Sequence, residues 1–116
     1  ISNIYDSFWV IGTDVKKEFV KDTIEQIYLE MDRLGSDLIG QEELELVRNY
    51  MLGHFVSSLE TSFALADKFK NIHFFGQDYS FYDQYVDTIN SITSERLNEL
   101  ANTYLKPAAF KKAVVG

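Results

Sequence analysis

The sequence predicts an α+β fold in which helices pack on one face of a mostly antiparallel sheet. Short runs of aromatic and β-branched residues near the two ends of the chain predict strands over residues 7–12 and 109–115. Between these runs, apolar residues recur at helical spacing and predict five helices. Two strands alone do not form a stable sheet, so we expect the remaining strands to come from upstream of Ile1 or from another chain.

The first predicted helix covers residues 14–34, and its apolar positions follow one another at intervals of three, four and seven residues. Thr13 or Asp14 can cap its start, because their side-chain oxygens accept hydrogen bonds from the free amides of a first turn. Gly35 follows the last apolar position, which is typical of the left-handed residue that ends a helix.

The second predicted helix covers residues 41–57 and the third covers residues 61–75. Gly53 lies inside the second helix, where glycine costs about 1 kcal/mol relative to alanine. We therefore interpret Gly53 as a position of close packing. Thr61 or Ser62 is the expected N-cap of the third helix.

Gly76 is expected to end the third helix, and the fourth is predicted over residues 79–90. The fifth helix is predicted over residues 93–105, with Thr93 as its N-cap. Pro107 closes this segment, because the residue before a proline disfavours the helical conformation.

Composition limits the classes of partner. The chain has 116 residues, of which 46% are hydrophobic, and a formal net charge of −7. This apolar content suits a folded domain, and we expect residues 1–116 to be a single partial domain. The acidic balance disfavours nucleic acids and anionic membrane surfaces. No apolar run approaches the about 20 residues needed to span a bilayer.

Cysteine is absent, which excludes disulfides, thiol catalysis and cysteine-based zinc sites. The absence is compatible with a bacterial cytoplasm and with a periplasm, so it does not decide the compartment. The chain begins at Ile1 without an initiator Met or a signal peptide, and we therefore expect it to be a piece of a longer protein.

No catalytic, cofactor-binding or metal-binding residue is predicted. Zinc hydrolysis needs about three protein ligands, and neither His54 nor His73 lies in a His-Glu-x-x-His or His-x-x-Glu-His pattern. Both histidines are interpreted as polar residues at helix surfaces or ends. The sequence also lacks a Gly-x-Ser-x-Gly elbow and a glycine-rich phosphate loop.

Two further clusters have structural interpretations. Glu42, Glu43 and Glu45 lie at a helix start, where acidic side chains favour the positive end of the helix dipole. Residues 74–82 are rich in aromatic side chains, which we interpret mainly as core and helix-boundary packing. The alternative for this segment is a surface that contacts a partner or a peptide.

Several stretches together resemble one known family. Residues 42–53, EELELVRNYMLG, are the most specific of these, and they are followed by SLET at 58–61. Residues 6–15, 92–95 and 113–116 extend the similarity along the chain. In order and spacing, these stretches resemble the second half of a domain of the pitrilysin/insulinase zinc peptidases, a group that includes the mitochondrial processing peptidases.

The resemblance implies a truncated C-terminal, non-catalytic domain of such a peptidase. It implies that zinc belongs to the catalytic domain of the parent protein, which would be a zinc metalloendopeptidase, and that this chain binds none. The implied partners are that catalytic domain or subunit and the peptide substrate, and an incomplete sheet would also permit a dimer of the fragment. The alternatives are an inactive scaffold subunit of a processing-peptidase-like complex and an unrelated helical protein–protein module.

Overall fold

The structure is a computed structural model that describes Phe8 and residues 10–116. Five α-helices occur in this part of the chain: α1 (Val20–Ser36), α2 (Gln41–Ser57), α3 (Ser62–Phe74), α4 (Ser80–Ser91) and α5 (Ser94–Tyr104). Two short 3-10 helices, Lys17–Phe19 and Pro107–Ala109, precede α1 and follow α5.

The predicted α+β fold is wrong, because the described residues contain no strand. Residues 109–115 finish one 3-10 turn and then continue without regular structure. Of the predicted strand 7–12, Phe8 and residues 10–12 are not in a strand, and the other positions lie outside the described residues. A β-rich composition stabilises a strand only when a neighbouring strand pairs with its backbone, and the residues that the structure describes offer no strand for such pairing.

The helices occupy nearly the predicted positions. Helix α2 spans the same residues as its prediction, and the limits of α3, α4 and α5 differ from theirs by one residue. The N-cap predictions for two helices are confirmed: Thr61 accepts a hydrogen bond from the Ala64 amide at 3.1 Å, and Thr93 accepts one from the Arg96 amide at 3.2 Å. Gly76 adopts a φ of 65° after α3, which is the left-handed conformation expected there.

The first helix departs from its prediction at both ends. It begins as a 3-10 turn at Lys17, and no side chain caps that turn, so Thr13 and Asp14 do not have the predicted role. Gly35 lies inside α1, which continues to Ser36. A left-handed glycine is not needed there, because side-chain amides of α5 satisfy the last carbonyls of α1.

The chain divides into two compact units. One unit comprises Ile11–Gln41 and Thr93–Gly116, and in it α1 packs against α5. Met31 and Ala101 are its buried apolar residues within the described part of the chain. The side-chain Nδ2 atom of Asn98 donates hydrogen bonds to the Leu34 carbonyl at 3.0 Å and to the Gly35 carbonyl at 2.9 Å. These bonds connect the end of α1 to α5.

The other unit contains Glu42–Ile92, and therefore helices α2, α3 and α4. Its buried apolar residues, within the described part, are Leu44, Ile72 and Ile89. Around Phe55 the packing is aromatic, with ring centroids of Tyr82 and Tyr85 at 5.8 and 5.3 Å. No helix in residues 10–116 combines the length and apolar character that a membrane crossing requires.

Candidate functional site

Helix α2 carries apolar side chains on two opposite sides. Its inner side packs within the unit and includes Leu44, which is 6% exposed. We define the outer face of α2 as the exposed residues that share the opposite side at a period of 3.6. They are Glu43, Leu46, Val47, Tyr50, Gly53, His54 and Ser57.

The outer face is strongly exposed at its centre. Leu46 is 71% exposed and Tyr50 is 72% exposed, although both are large apolar side chains. The Tyr50 and His54 rings are neighbours, with centroids 6.3 Å apart. Large exposed apolar side chains that share one helix face are typical of a surface that another element or molecule covers. The composition of α2 therefore suits a helix that is covered on both sides.

Gly53 is the smallest residue on the outer face. A Cβ atom built at this position would meet no atom within 4 Å apart from its adjacent residues and the nearby backbone of α2. The packing contact that we predicted for Gly53 is therefore not made within the described chain. Its free surface would let the backbone or a bulky side chain of another molecule approach α2 closely.

Arg48 connects the inner side of α2 to the end of α4. Its Nε atom donates to the Ile89 carbonyl at 2.8 Å and its Nη2 atom donates to the Ile92 carbonyl at 2.8 Å. Its Nη1 atom also pairs with the Glu45 carboxylate. The last carbonyls of a helix lack partners within that helix, and the guanidinium supplies two donors to them in one rigid fork. Arg48 thereby positions α2 against α4.

This role of Arg48 was not predicted from the sequence. Arg48 lies one helical turn from Leu44 on one side and from Leu52 on the other, so the sequence places a charged residue within an apolar stripe. That position was the available signal, since a charged side chain on a packed helix face requires hydrogen-bond partners. The hydrogen bonds that the side-chain amides of Asn98 and Asn102 on α5 donate to the end of α1 were also not predicted from the sequence.

The structure separates the two histidines. His54 is exposed on the outer face of α2, and His73 is exposed near the end of α3, where its ring stacks on Phe69 at 5.6 Å. No group of three or more metal-ligating side chains occurs among the residues that the structure describes. Glu42 and Glu43 are exposed at the start of α2, and Glu45 pairs with Arg48.

The aromatic segment 74–82 divides between the two interpretations. Phe74, Phe75, Tyr79 and Phe81 are exposed. Tyr82 instead packs inward, where its hydroxyl donates to the Lys68 carbonyl at 2.8 Å. Burial raises the pKa of Tyr82, and the nearby Tyr79 adds a smaller contribution in the same direction. This segment thus combines one packing residue with an exposed aromatic surface.

Comparison with known protein families, with curated proteins and with solved structures finds no match to this chain.

Proposed function

We propose that this chain is a non-catalytic helical packing module, which places its exposed apolar side chains against a protein partner. One observation carries the proposal: large apolar side chains are more often exposed than buried in each unit. In the described chain only Met31, Leu44, Ile72, Ile89 and Ala101 are buried among the hydrophobic residues. Exposed apolar surface of this extent is typical of interaction surfaces.

The energetics favour a partner. Fully burying one large apolar side chain contributes about 1.5–3 kcal/mol. Leu29 of α1 and the neighbouring Leu38 are each 58% exposed, so much of this contribution is unrealised in the isolated unit. Association costs about 4–15 kcal/mol in lost translational and rotational freedom. Several such side chains must therefore be covered together, or the partner must belong to the same polypeptide.

The resemblance to pitrilysin/insulinase peptidases supports a more specific proposal. The partner would be the remainder of a zinc-dependent peptidase, whose catalytic domain holds the zinc, and this chain would form part of the wall of the substrate chamber. The supporting observation is the sequence of residues 42–53, which lie within α2, the helix that is apolar on two sides. An inactive scaffold subunit of a processing-peptidase-like complex is the alternative within this family.

A second candidate function is a helical protein–protein module unrelated to peptidases. The observation that favours it is the helical content, since the described residues form five α-helices and no strand. The family resemblance instead implied a sheet. The two candidates share the packing role and differ in the identity of the partner.

The packing role is tested by a matched pair of substitutions on α1. Leu29→Gln changes an exposed side chain, and Met31→Ala changes one that is 5% exposed two residues later. We expect Leu29→Gln to alter the free energy of unfolding by less than about 0.5 kcal/mol. We expect Met31→Ala to lower it by about 2–4 kcal/mol.

Dye binding completes this test. The isolated chain is expected to bind an apolar fluorescent dye, and the Leu29→Gln/Leu38→Gln variant is expected to bind less of it. If Leu29→Gln destabilised the chain as much as Met31→Ala, Leu29 would belong to an internal core and the proposal would fail. Failure of the native chain to bind the dye would have the same consequence.

The non-catalytic part of the proposal has its own test. The chain is expected to show no peptidase activity and to bind no stoichiometric zinc. Tight binding of one zinc ion per chain in a chelator-controlled titration would contradict it. The peptidase and unrelated-module candidates are then separated by the full polypeptide, since a His-x-x-Glu-His motif in the same chain or in a copurified partner supports the former.

A further inference from the structure

We propose that the outer face of α2 binds the same face of a second copy of this chain, with the two helices antiparallel and the two-fold axis at Tyr50. The inference rests on the proposed function, because it takes the exposed apolar surfaces to be covered by protein. It adds the identity of the molecule that covers this one face.

The register of the outer face is self-complementary about Tyr50. In an antiparallel pair centred there, residues equally distant from Tyr50 on either side lie opposite one another. Val47 then faces Gly53 of the second copy, three positions from the axis in each case. A β-branched side chain thus meets the one residue of the face that has open space at its Cβ position. Because each contact occurs twice, both glycine surfaces are filled.

The remaining positions of the face are also compatible with this pairing. Leu46 lies opposite His54 of the second copy, so an aliphatic side chain packs on an imidazole ring. Glu43 lies opposite Ser57 and about one turn from His54. The serine hydroxyl and the imidazole N–H can donate hydrogen bonds to the carboxylate. No carboxylate of the outer face is therefore placed against another carboxylate.

Charge decides the relative direction of the two helices. A parallel pair in the same register would place Glu43 beside Glu43 of the second copy, with Glu42 of both chains close by. Like charges at this distance repel, and the chain offers no cation on the outer face to compensate. The antiparallel pair separates the two acidic turns by about 21 Å, from 14 residues at about 1.5 Å each.

Packing distance is consistent with direct contact at the axis. Helices pack with their axes about 8–10 Å apart, and Cα atoms lie about 2.3 Å from their own axis. Because two tyrosine side chains meet at the two-fold axis, the wider spacing applies, and the facing Cα atoms are then about 5 Å apart. One helix face buries less than the about 800 Å² per partner of a standard interface. We therefore expect a weak dimer, with a Kd of about 10 µM to 1 mM.

Sedimentation equilibrium of the 116-residue chain tests the association. The native chain is expected to dimerise within this concentration range, and Tyr50→Glu is expected to raise the dimer Kd at least about tenfold. The matched control is Phe63→Glu on α3, which changes a side chain that is 88% exposed and lies off the outer face. This control is expected to leave the Kd within about twofold of the native value.

Disulfide cross-linking tests the orientation, and the natural chain has no cysteine to interfere. Under mild oxidation Tyr50→Cys is expected to form a covalent dimer, because disulfides require Cα atoms about 4.4–6.8 Å apart. Glu43→Cys is expected to remain monomeric, since its two copies lie about 21 Å apart in the antiparallel pair. Circular dichroism of each variant verifies that the helices are retained.

The outcomes separate this inference from the proposed function. A native chain that is monomeric up to about 1 mM overturns the dimer, as does an association that Tyr50→Glu leaves unchanged. Cross-linking through Glu43→Cys without cross-linking through Tyr50→Cys overturns the antiparallel arrangement. A monomeric chain that still binds the apolar dye, and whose α1 variants behave as expected, leaves the packing role intact with another partner.

Discussion

Replacing Gly53 with alanine is expected to stabilise the isolated chain. Gly53 lies within α2, four residues before the helix ends at Ser57. Glycine inside a helix loses more conformational freedom on folding than alanine does. Apart from the nearby backbone and adjacent residues of α2, which any helical alanine has beside it, the added methyl group would meet no atom within 4 Å. It therefore introduces no steric cost within the chain. We therefore expect Gly53→Ala to stabilise the chain through the helix backbone alone, without a new side-chain contact.

The size of the effect follows from helix propensity. Gly→Ala inside a helix contributes about 0.5–1 kcal/mol when nothing opposes it. For a chain of this length we expect the midpoint of thermal unfolding to rise by about 2–5 °C. The measurement requires a protein concentration far below the dimer Kd, because a concentration-dependent dimer would add its own stabilisation.

Gly35→Ala is the matched control, because Gly35 is also helical but is closely approached by a side chain. A Cβ atom at Gly35 would lie 3.1 Å from Oδ1 of Asn102. That side chain is held by its own hydrogen bonds, with the Asn102 amide 2.8 Å from the Gly35 carbonyl and 2.9 Å from the Asn98 carbonyl. Displacing it costs about 0.5–1.5 kcal/mol per weakened bond. We expect Gly35→Ala to range from neutral to about 1 kcal/mol destabilising.

Chemical denaturation with urea, followed by far-ultraviolet circular dichroism, measures both variants against the native chain. Gly53→Ala is expected to be more stable than the native chain, and Gly35→Ala is expected to be no more stable than it. Equal stabilisation by both substitutions would mean that Asn102 does not restrict Gly35. A loss of stability with Gly53→Ala would mean that the outer face is already occupied within the chain, which would refute the interpretation.

Three further predictions concern the polar contacts at helix ends. Arg48→Met is expected to lower the free energy of unfolding by about 2–4 kcal/mol in urea titrations, because two charge-assisted hydrogen bonds to the end of α4 are lost. Arg48→Lys should recover less than half of this loss, since lysine lacks the rigid fork of the guanidinium. Asn98→Ala is expected to cost about 1–2 kcal/mol in the same assay and to speed amide hydrogen exchange at the end of α1. Hydrogen bonds from the Ser80 side chain and backbone amide lower the pKa of Asp78 below its ordinary 3.8. The ionised Asp78 carboxylate should therefore stabilise the fold fully at pH values above 3.8, and this stabilisation should be lost as the pH falls through the lowered pKa. The thermal midpoints of the native chain and Asp78→Asn should then converge in acid.

The helices could be predicted because their signals are local. Thr61 and Thr93 begin α3 and α5 as predicted, since an N-cap hydroxyl bonds to an amide only a few residues ahead. Gly76 likewise ends α3 through its own backbone conformation. Each of these effects depends on a few consecutive residues, so the sequence contains all the information that decides it.

The errors occurred where distant residues decide the structure. Residues 109–115 have a β-rich composition, but a strand also requires a pairing neighbour that the local sequence does not reveal. Gly35 was expected to end α1 because its sequence position suits a left-handed residue. Instead Asn98, which is 63 residues away along the chain, donates to the Gly35 carbonyl and lets the helix continue. Arg48 was missed for the same reason, since its acceptors are 41 and 44 residues distant.

These long-range polar contacts explain how units with so few buried residues keep their helices in place. The guanidinium of Arg48 fixes the end of α4, and the amides of Asn98 and Asn102 fix the end of α1. Directional bonds of this kind specify an arrangement, but each adds only about 1–3 kcal/mol. A unit that buries two or three apolar residues in its described part has little further stabilisation to offset its conformational entropy. A partner that covers the exposed apolar faces would stabilise the chain by mass action, so its stability should rise with the concentration of that partner.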